Sequence, residues 1–171
     1  MERICCVIDF EGFYLSSKRE FVIREIGYIG MDWDSAVSLR FDLTEFVNEL
    51  SAKDWQTISY VKRHVSGLTF RPLKSEFVFS YSDLNKRILR IYDMLKTQEK
   101  YIVAYKGGNV ERQKLFDLNI PSVNLEMFGC PKFNVLSDGS DPTCGFHIAS
   151  DVHCPRAEVL CFRNWMQSNM C

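Results

Sequence analysis

The run Arg3-Ile-Cys-Cys-Val-Ile8, closed by Asp9-Phe10-Glu11, restricts the architecture of this chain more than any other stretch. It is too short for a core helix and rich in β-forming residues, as a central strand buried on both faces requires. Carboxylates at i and i+2 on an extended chain point the same way, because strand side chains alternate faces with period two. One divalent cation can therefore contact both Asp9 and Glu11. The end of a central strand is also where α/β sheets usually carry their chemistry. The plain alternative, a solvated strand end, stays open at this level.

Downstream, Phe21 to Ile29 and Ala36 to Leu43 alternate as second and third strands, which predicts an antiparallel meander. Thr44 to Leu50 and Asp54 to His64 read as short helices. Ser82 to Thr97 is the clearest helix, with Leu84, Ile88, Ile91, Tyr92 and Leu95 at helical spacing. Tyr101 to Tyr105 follows as a short strand, then the Gly107-Gly108 turn and a helix capped by Asn109 that carries Glu111. That βαβ passage makes the sheet mixed. Val123 to Leu125 extends it, Asp138 to Thr143 is a polar loop, and a last helix starts near Pro155 and runs through Trp165.

With 171 residues, 46% hydrophobic and 25% charged, the chain is long enough for a substantial core and is read as one domain over 1–171. A secretory signal is not supported at the start, so an intracellular protein, cytoplasmic or nuclear, with no membrane association is expected. Seven cysteines without regular spacing then read as reduced thiols or metal ligands. A net charge of −1 confines any nucleic-acid contact to local patches. Candidates for phosphate contact and base stacking are Lys106 and Arg156 with Phe10, Phe13 and Tyr14.

In order along the chain, Asp9-Phe10-Glu11, Glu25-Ile26-Gly27, His64-Val-Ser-Gly-Leu-Thr69, Glu111 opening a helix after a strand, and His153-Cys-Pro-Arg-Ala-Glu158 resemble the motifs of the DEDDh 3′–5′ exonucleases. Glu111 and Glu158 stand where that family has aspartate. The resemblance implies an RNase H-like mixed sheet flanked by helices. It also implies Asp9, Glu11, Glu111 and Glu158 holding two Mg²⁺ or Mn²⁺ ions, His153 activating water, and single-stranded RNA or DNA as substrate. Glutamate is one methylene longer than aspartate and Mg²⁺ demands near-ideal geometry, so both substitutions bear on activity. For Glu111 the competing reading is an exposed acid in the first turn of a helix.

Cys144-Gly-Phe-His147 followed by Cys154, with Cys130 upstream, offers soft ligands for a tetrahedral structural Zn²⁺. Buried cysteines acting as small hydrophobes are the competing reading. This portion is similar to the Maelstrom domain, an RNase H-like relative with a Glu-Cys-His-Cys zinc site. The similarity implies a glutamate joining Cys144, His147 and Cys154, with Cys130 as the alternative fourth ligand. It implies equally a non-catalytic module that binds RNA or protein partners in a silencing or RNA-processing assembly.

Overall fold

The computed structural model describes residues 2–148 and 153–170. A six-stranded mixed sheet carries helices on its faces, with strand order β4-β3-β2-β1-β5-β6. The first three strands are β1 (Ile4–Leu15), β2 (Glu20–Gly30) and β3 (Val37–Asp42). They pair antiparallel, as the alternation of the sequence predicts. β4 (Phe79–Ser80), β5 (Ile102–Tyr105) and β6 (Ser122–Asn124) pair parallel to their neighbours.

The helices are α1 (Ala52–His64), α2 (Leu84–Leu95), α3 (Asn109–Asp117), α4 (Phe133–Leu136) and α5 (Pro155–Asn169). Several expectations are corrected. Thr44–Glu49 is a 3₁₀ segment, and the cap of α3 is Gly108, with Asn109 already helical. The short β4 and α4 have too few residues to show a period. α5 extends past Trp165, because Phe162 and Met166 continue its buried stripe.

The largest revision concerns β1. Asp9-Phe10-Glu11 lies in the middle of a twelve-residue strand, since pairing with β2 continues to Leu15 across a bulge between Glu11 and Gly12. The alternation puts Ile8 and Phe10 on one face, in a core with Ile26, Ile88, Ile91 and Leu115. Val7 lies on the other face and packs with Ile29, Ala104, Val159, Phe162 and Met166 beneath α5. Asp9 and Glu11 follow Val7 with period two, so the carboxylates share the α5 face. Beyond the bulge, Phe13 and Leu15 join Ile58 of α1 in a third cluster. Each fully buried aliphatic or aromatic side chain here contributes about 1.5–3 kcal/mol.

Candidate functional site: an acid cluster beside a soft-ligand group

β1–β2 register sets the layout. Val7 faces Ile29, Asp9 faces Gly27, and Glu11 faces Glu25. At Gly27 a Cβ would fall 2.3 Å from the carbonyl carbon and oxygen of Pro155. Only a bare backbone therefore lets the start of α5 settle on β2 at this point. α5 brings Glu158 in its first turn, with His153 and Cys154 immediately before the helix.

Glu111 arrives from the opposite side, in the first turn of α3. β1 pairs with β5 only as far as Val7, which leaves the Phe10 N–H beyond that ladder. Phe10 N–H donates to Glu111 Oε1 at 3.1 Å, so the glutamate is fixed and buried. The reading of Glu111 as an exposed first-turn acid is overturned. Glu158 is buried as well, and its Oε1 takes His153 Nδ1 at 2.9 Å while the imidazole stays half exposed.

The four carboxylates lie within one another's fields. Burial pushes the Asp9 carboxyl well up, and the charges of Glu158, Glu111 and Glu11 push it further. Burial and Glu158 likewise raise Glu11 to about 8, against the opposing pull of His153. Glu111 is raised to about 7 by burial, offset by its bonds from backbone N–H groups. The Asp9 Oδ2 atom is buried with no hydrogen-bond partner. Among the described residues, His153 is the sole basic side chain paired with any of the four. Buried, mutually repelling carboxylates with an orphaned oxygen are costly to bury without a compensating partner.

Beside this cluster, Glu25, Cys144, His147 and Cys154 place their ligand atoms within 4.8 Å of one another. Glu25 Oε2 and His147 Nε2 approach to 2.9 Å, yet neither forms a hydrogen bond. Both atoms are buried, and a metal ion shared between them would satisfy both. His147 Nδ1 donates to the Ser66 carbonyl, which leaves the Nε2 lone pair free for a metal, the arrangement usual for ligating histidines. The Cys144 N–H reaches Cys154 Sγ at 3.3 Å. Hydrogen bonding from Cys144 lowers the Cys154 thiol to about 4 against burial, with His147 adding to the shift, so the thiolate form that binds metals is favoured. This group can hold a metal ion, and its donor set matches zinc better than a hard cation.

The fourth member of the group is Glu25, not Cys130. Cys130 Sγ lies in the core beneath α5 and donates to the Pro131 carbonyl at 3.6 Å. Glu25 was visible in sequence only as part of Glu25-Ile26-Gly27. Its role emerges from the register that sets it opposite Glu11.

The expected nucleic-acid contacts fare unevenly. Phe10 and Phe13 are core residues and have no face free for stacking, whereas Tyr14 is 50% exposed. Lys106 Nζ is neutralised by Glu126 Oε1 at 2.8 Å. Arg156 binds the carbonyls of Ala36 and Thr143, holding β3 and the ligand loop to α5. Arg24, which sequence reasoning passed over, is fully buried and bonds Glu76 at 2.7 Å, and Arg40 joins the same carboxylate. Arg40 also stacks on Phe146, between the ligands Cys144 and His147. Among the described residues no helix is long and apolar enough to cross a membrane. No protein-family model, curated protein or solved structure matches this chain, so the chemistry of the site is read from its own geometry.

Proposed function

We propose that this protein is a divalent-metal-dependent phosphodiesterase of the 3′–5′ exonuclease type, acting on single-stranded nucleic acid, with a structural zinc ion beside its active centre. The observation that carries the reading is the meeting of Asp9, Glu11, Glu111 and Glu158, drawn from β1, α3 and α5, with His153 bonded to Glu158. Bound Mg²⁺ or Mn²⁺ would stabilise the attacking and leaving oxygens of a phosphoryl displacement.

Within this scheme Asp9 and Glu11 hold cations from the β1 face, and Glu111 and Glu158 close the centre from opposite sides. His153 keeps Nδ1 on Glu158, which orients the ring and leaves Nε2 to take the proton of the attacking water. Glu25, Cys144, His147 and Cys154 would hold a structural zinc and take no part in the chemistry.

The direct test is incubation of end-labelled RNA and DNA single strands with Mg²⁺ or Mn²⁺. Stepwise shortening from the 3′ end is expected, lost in the Asp9→Ala, Glu11→Ala double variant. Shortening that survives this double variant contradicts the assignment. The second reading, a zinc-stabilised module that binds RNA or protein without cleaving, draws on the convergence of the soft-ligand group within 4.8 Å. It predicts bound zinc, retained binding of single strands or protein partners, and no divalent-dependent cleavage.

A further inference from the structure

The soft-ligand group and the acid cluster are built from the same pieces of chain. Glu25 stands directly across the β1–β2 ladder from Glu11, on the same face. Like charges in that arrangement destabilise a sheet unless something neutralises them. Cys154 is buried at the N-cap of α5, one residue after His153, and its carbonyl accepts the first helical bond from Glu158 N–H at 2.9 Å.

A single loop steadies both sites from outside. Ser66 holds the Nδ1 of His147, and the neighbouring Val65 carbonyl accepts the His153 N–H at 3.3 Å. The close approach of Gly27 to Pro155 presses the helix start onto β2, opposite Asp9. His153, just before α5, and Glu158, in its first turn, are thus within four residues of the soft-ligand residue Cys154. Glu11 shares a rung with another, Glu25.

We propose that Glu25, Cys144, His147 and Cys154, when they hold zinc, are the positioning frame of the acid cluster, so that zinc occupancy sets the affinity of Asp9, Glu11, Glu111 and Glu158 for divalent cations. Zinc on Glu25 and Cys154 removes the charge opposite Glu11 and fixes the first turn of α5, which sets the reach of Glu158 and the orientation of His153. Without it, α5 keeps its apolar stripe of Val159, Phe162 and Met166 on the sheet, while its first turn loses its tether. The fold then outlasts the geometry of the acid cluster. The proposal rests on the reading of that cluster as a divalent-cation site.

The test is Mn²⁺ binding by the full chain, followed by the electron paramagnetic resonance of free Mn²⁺, with zinc content and far-ultraviolet circular dichroism measured on the same samples. Zinc-loaded protein is expected to bind Mn²⁺. Zinc-stripped protein and Cys144→Ser, whose side chain lies outside the acid cluster, are expected to keep their dichroism and bind Mn²⁺ about tenfold or more weakly. Added zinc should restore the stripped protein and not the variant. An unchanged Mn²⁺ dissociation constant in folded, zinc-free protein overturns the proposal and leaves the phosphodiesterase reading standing.

Absence of Mn²⁺ binding in zinc-loaded protein overturns both. Should the zinc-free chain unfold, replacing zinc by the larger Cd²⁺ supplies the measurement, since it keeps the group loaded while moving its ligands. A change of about threefold or more in Mn²⁺ affinity then supports the frame, and an unchanged affinity overturns it.

Discussion

Gly27 has no side chain and no chemistry, yet the candidate site depends on it. The carbonyl of Pro155 occupies the space a methyl group would need, so Gly27→Ala must push α5 off β2. Overpacking of this kind costs about 1–3 kcal/mol. In a chain of this length each kcal/mol lowers the melting temperature by roughly 2–4 °C. Calorimetry of Gly27→Ala should record that loss together with reduced zinc retention, because Cys154 moves with the helix. A variant that melts with the wild type and keeps its zinc would show that the close approach is not needed. At the same scale, His153→Ala should lower cleavage by about 10²–10⁴-fold while leaving Mn²⁺ affinity nearly unchanged, the signature of a proton acceptor rather than a ligand. Equal losses in binding and cleavage would make His153 a ligand instead.

Among the elements, α1 carries a pH signature of its own. Ser51 caps the helix, and Asp54 completes a capping box while also accepting from the Ser16 and Ser17 backbone at 2.7 and 3.4 Å. Hydrogen bonds from Ser17, Ser51 and Ser16 hold the Asp54 carboxyl well below the usual carboxylate range, against the opposing effect of burial. Since the folded value lies below the unfolded one, this stabilisation is complete above about pH 5 and fades as pH falls toward the folded value. Asp54→Asn should therefore melt below the wild type at neutral pH, with the gap beginning to narrow near pH 5 and still narrowing below about pH 3. A gap independent of pH would assign the loss to geometry alone.

β1 shows where the sequence could and could not be read at this scale. Its apolar start and its Asp9/Glu11 facing were legible, because alternation is local. Its length was not, because the strand crosses a bulge at Gly12, where a Cβ would meet the Val22 carbonyl oxygen at 2.0 Å. Only pairing with β2 reveals that the strand continues. For the same reason Phe10 and Phe13 suggested stacking surfaces and proved to be core. Helix α2 was legible from its periodic apolar stripe and α5 from Pro155 at its start, whereas α4, at four residues, left no such trace.

In the whole molecule, one sheet face gathers an acid cluster and a soft-ligand group from residues more than a hundred positions apart. The soft ligands Cys144, His147 and Cys154 could be picked out by residue type, but the choice of Glu25 over Cys130 belongs to tertiary register. Glu111 and Glu158 carried no local mark distinguishing a ligand from a solvated helix-start acid. Burial against Asp9 rules out the solvated acid. Both glutamates approach β1 from helix N-termini, where the backbone dipole supports a carboxylate and the extra methylene gives reach.

Those two glutamates are the point at which the proposed function is most exposed. The most direct measurement is release of 3′-terminal nucleotides from 5′-labelled single strands by zinc-loaded protein in Mn²⁺, compared with Glu111→Ala and Glu158→Ala. A ladder shortening one nucleotide at a time is expected from the wild type, reduced by about a hundredfold or more in each variant. A wild-type protein that binds zinc yet shortens no strand, or variants that cut as fast as it does, would contradict the phosphodiesterase reading.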